Sequence, residues 1–224
     1  MKSARGRAAL DSFLLKADGP GTKPPDSRTD TAIMNATAAV ISEYGERNLT
    51  IDQVAERAGF TRMTVFRRFG SREQLLHATY TNELRKVLDA VAAAADSVTN
   101  RLDRAEIVVA ELLSAAENNP ITQRLANVEP AAIVELWRDS EVSGHTWGVN
   151  LIAHLLRDEL LEDPLDEDEA TFAGNLLMRL VVSLLLVPDP TLNGPSAARK
   201  QFLRAMVERV LPHPTSSTPR SATG

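Results

Sequence analysis

Apolar residues recur along most of this chain at intervals of three and four, the spacing that lines one face of an α-helix. Ile33, Ala36, Val40, Ile41 and Tyr44 form the first such stripe. It predicts a helix from near Asp30 up to Gly45, a glycine standing where helix C-caps favour one. A second, shorter stripe holds Ile51, Val54, Ala55 and Ala58 and stops at Gly59. Thr50 and Gln53 have capping-box spacing at its start, and Leu49 and Val54 are placed to form a hydrophobic staple. The device repeats at once. Thr61 is the next N-cap, Phe60 and Val65 staple it, and "RMTVFRRF" runs to Phe69 before Gly70. Ser71 and Gln74 then open a longer helix carrying Leu75, Leu76, Leu84, Val87, Leu88 and Val91 to the alanines at 92–95.

Beyond residue 96 the helical period continues, punctuated by Pro120, Pro130, Pro164, Pro188 and Pro190. Asp103 and Glu106 have capping spacing ahead of Ile107, Leu112 and Leu113, with the helix ending at Asn118. Shorter helices are expected over 121–128 and 131–139, and another over 145–161. Asp166 and Glu169 open an apolar helix that ends at Val187. A last helix over 196–211 sets Phe202, Leu203, Met206, Val207 and Val210 on one side. Neither a strand-like alternation of useful length nor an internal repeat is visible, so the expected fold class is all-α.

Composition narrows the picture. Ala, Leu, Val and Arg are abundant and aromatics make up only 4% of the 224 residues, a mixture that favours helices over sheets. Cysteine is absent, which excludes disulfides, thiolate metal sites and cysteine nucleophiles together. The most apolar run, Leu176 to Val187, is interrupted by Arg179 and Ser183 and falls short of the ~20 residues that span a bilayer. The stretch "ALDSFLLKADGPG" is too short and too polar in its centre for a secretory signal. A cytoplasmic protein without a membrane partner is expected.

The net charge of −5 is unevenly spread. Residues 1–75 carry 12 Lys and Arg against 9 Asp and Glu, whereas residues 76–224 carry 13 against 21. A basic front and an acidic back suggest that the front meets a polyanion. Residues 1–28, rich in Pro, Gly and charge, read as a disordered arm, and 212–224 as a disordered tail. Between them the reading places a three-helix unit over 29–76 and a larger helical domain over 77–211.

Enzymatic chemistry finds no foothold. His77, His145, His154 and His213 lack metal-ligand spacing. No phosphate-cradling glycine loop or Gly-x-Ser-x-Gly elbow occurs, and "EDPLDEDEA" lacks the alternating ligands and glycine of a calcium loop. The expectation is a non-enzyme with neither cofactor nor metal.

What remains is the region around Gly59. Two short helices joined by a glycine turn and braced by a preceding helix make a helix-turn-helix, whose second helix enters the DNA major groove. Here that helix bears Arg62, Arg67 and Arg68, with no acidic residue between Glu56 and Glu73. The residues Gly45, Thr50, Ala58, Gly59, Thr61, Thr64, Phe66, Phe69, Ser71, Arg72, Glu73 and Leu75 follow one another in the order and spacing of a known pattern. "AERAGFTRMTVFRRFGSREQLL" resembles the DNA-binding domain of the TetR family of bacterial transcriptional regulators.

That resemblance implies roles for single residues. Thr50 and Thr61, at helix N-caps, would hold phosphates near the helix dipoles. Arg62 is the residue expected to bind guanine O6 and N7. Met63 and Thr64 follow, for a thymine methyl and for a base or phosphate. Arg67 and Arg72 would pair with phosphates, which position the protein without reading sequence. Phe66 stands where the family often has Tyr, leaving ring packing without a hydroxyl contact, and Met63 replaces a frequent Gly.

The resemblance also implies a larger helical domain that binds a small molecule and dimerises through its last two helices. Trp137, Trp147, His154 and Asn175, with His145 and Arg179, are the unusual groups there and the candidates for lining a ligand site. The helix over 167–187 is apolar almost all round, so it needs cover on more than one side. Phe172, Leu176, Arg179, Leu180 and Leu184, with Phe202 and Met206 of the last helix, are the expected dimer interface. The resulting expectation is a homodimeric repressor released from a palindromic operator by an unknown small molecule. A nucleoid-type or constitutive DNA-binding protein without an effector is the alternative.

Overall fold

The computed structural model describes residues 28–131, 133–134, 144–192 and 194–212. Among them the chain forms nine α-helices and no strand: α1 (Arg28–Tyr44), α2 (Ile51–Ala58), α3 (Arg62–Phe69), α4 (Arg72–Ala95), α5 (Arg101–Asn118), α6 (Pro120–Val128), α7 (Gly144–Leu156), α8 (Glu167–Leu186) and α9 (Ala197–Val210). The all-helical architecture is as expected, with a small N-terminal unit followed by a larger helical one. The arm over 1–27, most of the helix expected over 131–139 with Trp137, and the tail over 213–224 lie outside the described residues.

Local chemistry sets most helix ends. Thr50 accepts from the Gln53 backbone N–H, while the Gln53 side chain accepts from the Thr50 backbone N–H, completing a capping box. Thr61, Ser71, Asp166 and Ser196 cap α3, α4, α8 and α9 in the same way, each accepting from a backbone N–H three residues on. Two boundaries depart from the sequence pattern. Helix α5 starts at Arg101, ahead of Asp103, because the Asn100 side chain accepts from the N–H groups of Leu102 and Asp103. Helix α7 stops at Leu156 and does not continue to 161. There Asp158 accepts from the Leu160 N–H at 3.0 Å, a local turn that competes with helix continuation.

Two apolar cores form. The first gathers Ile33, Val40 and Ile41 of α1, Ile51 and Val54 of α2, Val65 of α3 and Leu75 and Leu76 of α4. Ile121 of α6 is buried in the same core, so α6 is packed onto the N-terminal unit although it follows α5 in sequence. The second core collects Leu88 and Val91 of α4, Val108 and Leu112 of α5, Leu151 and Ile152 of α7, Leu177 and Val181 of α8, and Leu203 and Val207 of α9. Helix α4 is the shared member. Its first turns serve one core and its last turns the other, so the 76/77 boundary falls inside a continuous helix.

Helix α8 has the length and composition of a membrane span; it packs along α7 and buries Ala170, Ala173, Gly174, Leu177 and Val181, while Phe172 and Leu176 stay exposed. Gly174 permits this approach: a Cβ there would lie 2.6 Å from the Val149 carbonyl oxygen. Two buried arginines tie the far end of the domain together. Arg104, 1% exposed, donates to the Val98 carbonyl and to Asp158 at 2.7 Å. Arg101 donates to the carbonyls of Asp163 and Pro212.

Candidate nucleic-acid interface

The turn between α2 and α3 determines what the surface can present. Gly59 adopts a left-handed conformation (φ 73, ψ 28), which side chains with a Cβ rarely take. The Phe60 N–H then reaches back to the Ala55 carbonyl at 2.9 Å and closes the end of α2. Thr61 returns the chain to extended backbone and caps α3, accepting from the Thr64 N–H at 3.2 Å with its hydroxyl 3.0 Å from that of Thr64. Only Val65 of α3 is fully buried. The short helix is anchored along one line and turns the rest of its surface outward.

That surface is cationic and apolar at once. Met63 is 74% exposed, and Thr61, Arg62 and Arg67 are exposed beside it. The Arg62 guanidinium sits 5.3 Å from the centroid of the Phe66 ring, within cation–π range, while the ring packs against the N-terminal core. Its Nη1 donates to Asp52 Oδ2 of α2 at 2.8 Å. Arg68 faces the other way and pairs with Asp30 of α1 at 3.2 Å. Arg72 is half-buried, with Nε donating to the Leu49 carbonyl at 3.3 Å and Nη2 to the Glu46 carbonyl. It ties the start of α4 to the loop preceding α2.

This geometry is that of a helix-turn-helix with an exposed, basic second helix, and known proteins share it. Residues 33–79 match the family model described as bacterial regulatory proteins, tetR family. Over that segment the chain matches the TetR family.

Curated relatives point the same way. An uncharacterized HTH-type transcriptional regulator of Mycobacterium tuberculosis is 34% identical over 71 residues, 32% of this chain and 35% of the relative. A second one from that organism is 27% identical over 120 residues, 48% of this chain and 64% of the relative. The match thus spans from about a third to just under two thirds of the length of these relatives. Among solved structures, a transcriptional regulator of the TetR/AcrR family from Thermobifida fusca superposes with a TM-score of 0.54 at 18% identity, covering 81% of this chain and 97% of its own. AibR, solved with isovaleryl coenzyme A and operator DNA, gives 0.54 at 14% identity, covering 83% and 99%. At such identities the likeness is one of fold.

The TetR-family pattern accounts for the grouping of the predicted DNA-facing residues. Thr50, Thr61, Arg62, Met63, Thr64, Phe66 and Arg67 lie on α2, α3 and their caps, with Arg72 set back behind them. The candidate ligand residues are not grouped in this way. Trp147 is half-buried against the second core, His154 is exposed on α7, and Asn175 accepts from Arg179 Nε at 2.7 Å. None of the three lines the cleft of about 1090 Å³ between α5 and α9, or the one of about 350 Å³ where α1, α4 and α5 meet. Phe172, 61% exposed, Leu176 and Arg179 face outward from α8, with Leu180 and Leu184 partly buried on the same side. Phe202 and Met206 of α9 are also partly buried. Asp52, beside Arg62, went unnoticed in the sequence. An acidic residue in a helix's first turn reads there as a partner of the helix dipole.

Proposed function

We propose that this chain is a DNA-binding transcriptional regulator that reads a short palindromic operator as a homodimer and releases it on binding a small molecule. The observation that carries the reading is the α3 surface. Arg62, Met63 and Arg67 project from a helix anchored by Val65, with Phe66 and Phe69 packed beside it, next to the capped start of α2. An exposed helix of this kind fits a major groove, where arginine donors meet guanine acceptors and an apolar side chain meets a thymine methyl. One recognition helix per chain is too little to specify a site, so two copies are needed with half-sites about one helical turn, ~34 Å, apart.

The apolar outward side of α8, together with α9, supplies the dimer face in this reading, as a two-fold four-helix bundle. The helical domain built from α4 to α9 is larger than dimerisation requires, which supports an effector site within it. Trp147 is the candidate lining residue best placed for that role, since it already packs against the domain core. A protein of the same fold with both kinds of partner is AibR, solved with isovaleryl coenzyme A and operator DNA.

Selection of binding sites from random duplex DNA with the full chain, followed by footprinting at physiological salt, tests the proposal. A two-fold symmetric consensus with paired protected half-sites is expected. Sequence-independent coverage would replace the operator reading with that of a constitutive nucleoid binder.

A further inference from the structure

The proposed DNA-facing surface carries an acidic side chain next to its leading arginine, and that pairing needs a reason. Asp52 and Arg62 are ten residues apart on different helices, joined by the Gly59 turn, yet Arg62 Nη1 and Asp52 Oδ2 are 2.8 Å apart. The two side chains are 60% and 66% exposed, and an ion pair so open to water contributes little to folding. On a surface meant for DNA, a carboxylate is also a liability, because it repels phosphates. The dipole of α2 favours a carboxylate in its first turn but does not account for one that meets Arg62, and general attraction to DNA opposes it.

Geometry offers the explanation. A guanidinium carries its N–H donors in a rigid planar fork, and guanine O6 and N7 require two parallel donors at a fixed spacing. Left alone, a long exposed arginine samples many rotamers and loses that freedom on binding. Here two contacts fix the plane: Asp52 holds the Nη1 end, and the Phe66 ring supports one face at 5.3 Å. No hydrogen bond engages the edge formed by Nε and Nη2 among the described residues, so on a side chain 60% exposed those two donors remain available to a ligand. We propose that Asp52 is a specificity-determining residue, a positioning group that presents the Nε–Nη2 edge of Arg62 side-on to a guanine. This rests on the reading of Arg62 as a base contact, and the test separates the two.

The experiment uses the full chain as wild type, Asp52→Asn, Asp52→Ala and Arg62→Ala. Each is measured on the selected operator, on operators with the Arg62-dependent guanine exchanged, and on mixed-sequence DNA. Wild type is expected to prefer guanine at that position by roughly tenfold or more, and Arg62→Ala to abolish the preference. Asp52→Ala is expected to reduce it to about threefold or less, with affinity for mixed-sequence DNA unchanged or higher and the melting temperature lowered by no more than the few degrees that losing the helix-dipole partner costs. Asp52→Asn, whose amide oxygen still accepts from Nη1, should fall between them. An Asp52→Ala protein that keeps the full guanine preference, or that weakens on all sequences alike, overturns the positioning role. If Arg62→Ala leaves every base preference intact, the base-contact reading fails first and the positioning role falls with it.

Discussion

At the scale of single residues, arginines that look alike in sequence do different work, and their partners decide which. Arg62 and Arg67 are exposed at the front of α3, whereas Arg72 is engaged by the Glu46 and Leu49 carbonyls. Donors occupied in this way brace the loop before α2. Arg72→Ala is therefore expected to lower stability by about 1–2 kcal/mol, read from urea midpoints. The salt slope of DNA binding should fall by clearly less than the ~0.9 of a full phosphate contact. A full drop with unaltered stability would restore the phosphate role. Arg104 is the extreme case, fully buried and paired with Asp158. Partial burial opposes ionisation of Asp158, but the Leu160 N–H and the Arg104 guanidinium outweigh it and hold the carboxyl below its ordinary range. A carboxyl depressed in the folded state stabilises above its unfolded value, about 3.9, and that contribution is lost as pH falls through the lower folded value. Asp158→Asn should cost about 3 kcal/mol at neutral pH and flatten the acid limb of a stability–pH curve. An unchanged acid limb would assign the acid sensitivity to other carboxyls.

At the scale of elements, the crossing of α7 and α8 depends on the missing side chain of Gly174. A Cβ there would meet backbone, the Val149 carbonyl at 2.6 Å, and backbone cannot rotate aside as a flexible side chain would. Gly174→Ala is expected to push the two helices apart and destabilise the domain by about 1–3 kcal/mol, whatever helix propensity alanine adds. A melting temperature equal to or above that of the wild type would show that the crossing relaxes freely. Helix α6 makes a related point about connection. Ile121 is buried in the N-terminal core, and Arg124 donates to the Ser42 and Glu43 carbonyls at the end of α1. The larger domain is thus fastened to the N-terminal unit by α6 as well as by the continuous α4.

At the scale of the whole molecule, the proposed dimer fixes the distance between two recognition helices, so it governs DNA binding from far away. Leu177 and Val181 are buried in the chain's own core, while Phe172 and Leu176 stand exposed on another side of α8 and Leu180 lies between the two. Leu180→Glu is expected to yield a monomer or an unfolded chain by light scattering, with operator binding lost in either case. A Leu180→Glu dimer that still binds the operator would sink the assignment. For the proposed effector, a molecule that prefers the non-binding arrangement would release DNA by shifting populations, and bound DNA would weaken its affinity by the same factor. Calorimetric titration of an effector into free and operator-bound protein checks that equality.

Much of this molecule is written in local chemistry. Helix caps, glycine stops and apolar stripes at helical spacing act over a few residues, so the sequence by itself determined the all-helical fold, the helix-turn-helix and the exposed α3 residues. Where neighbouring groups compete for one cap, the pattern was ambiguous, and α5 begins at Arg101, capped by Asn100, for that reason. Long-range geometry was decided only by packing. That α6 joins the N-terminal core, that Arg72 bends back to two carbonyls, and that Asp52 meets Arg62 across a turn all depend on distances no sequence spacing encodes. A guanidinium on a long flexible stem takes its role from the acceptors the fold brings within reach, and those come from other helices.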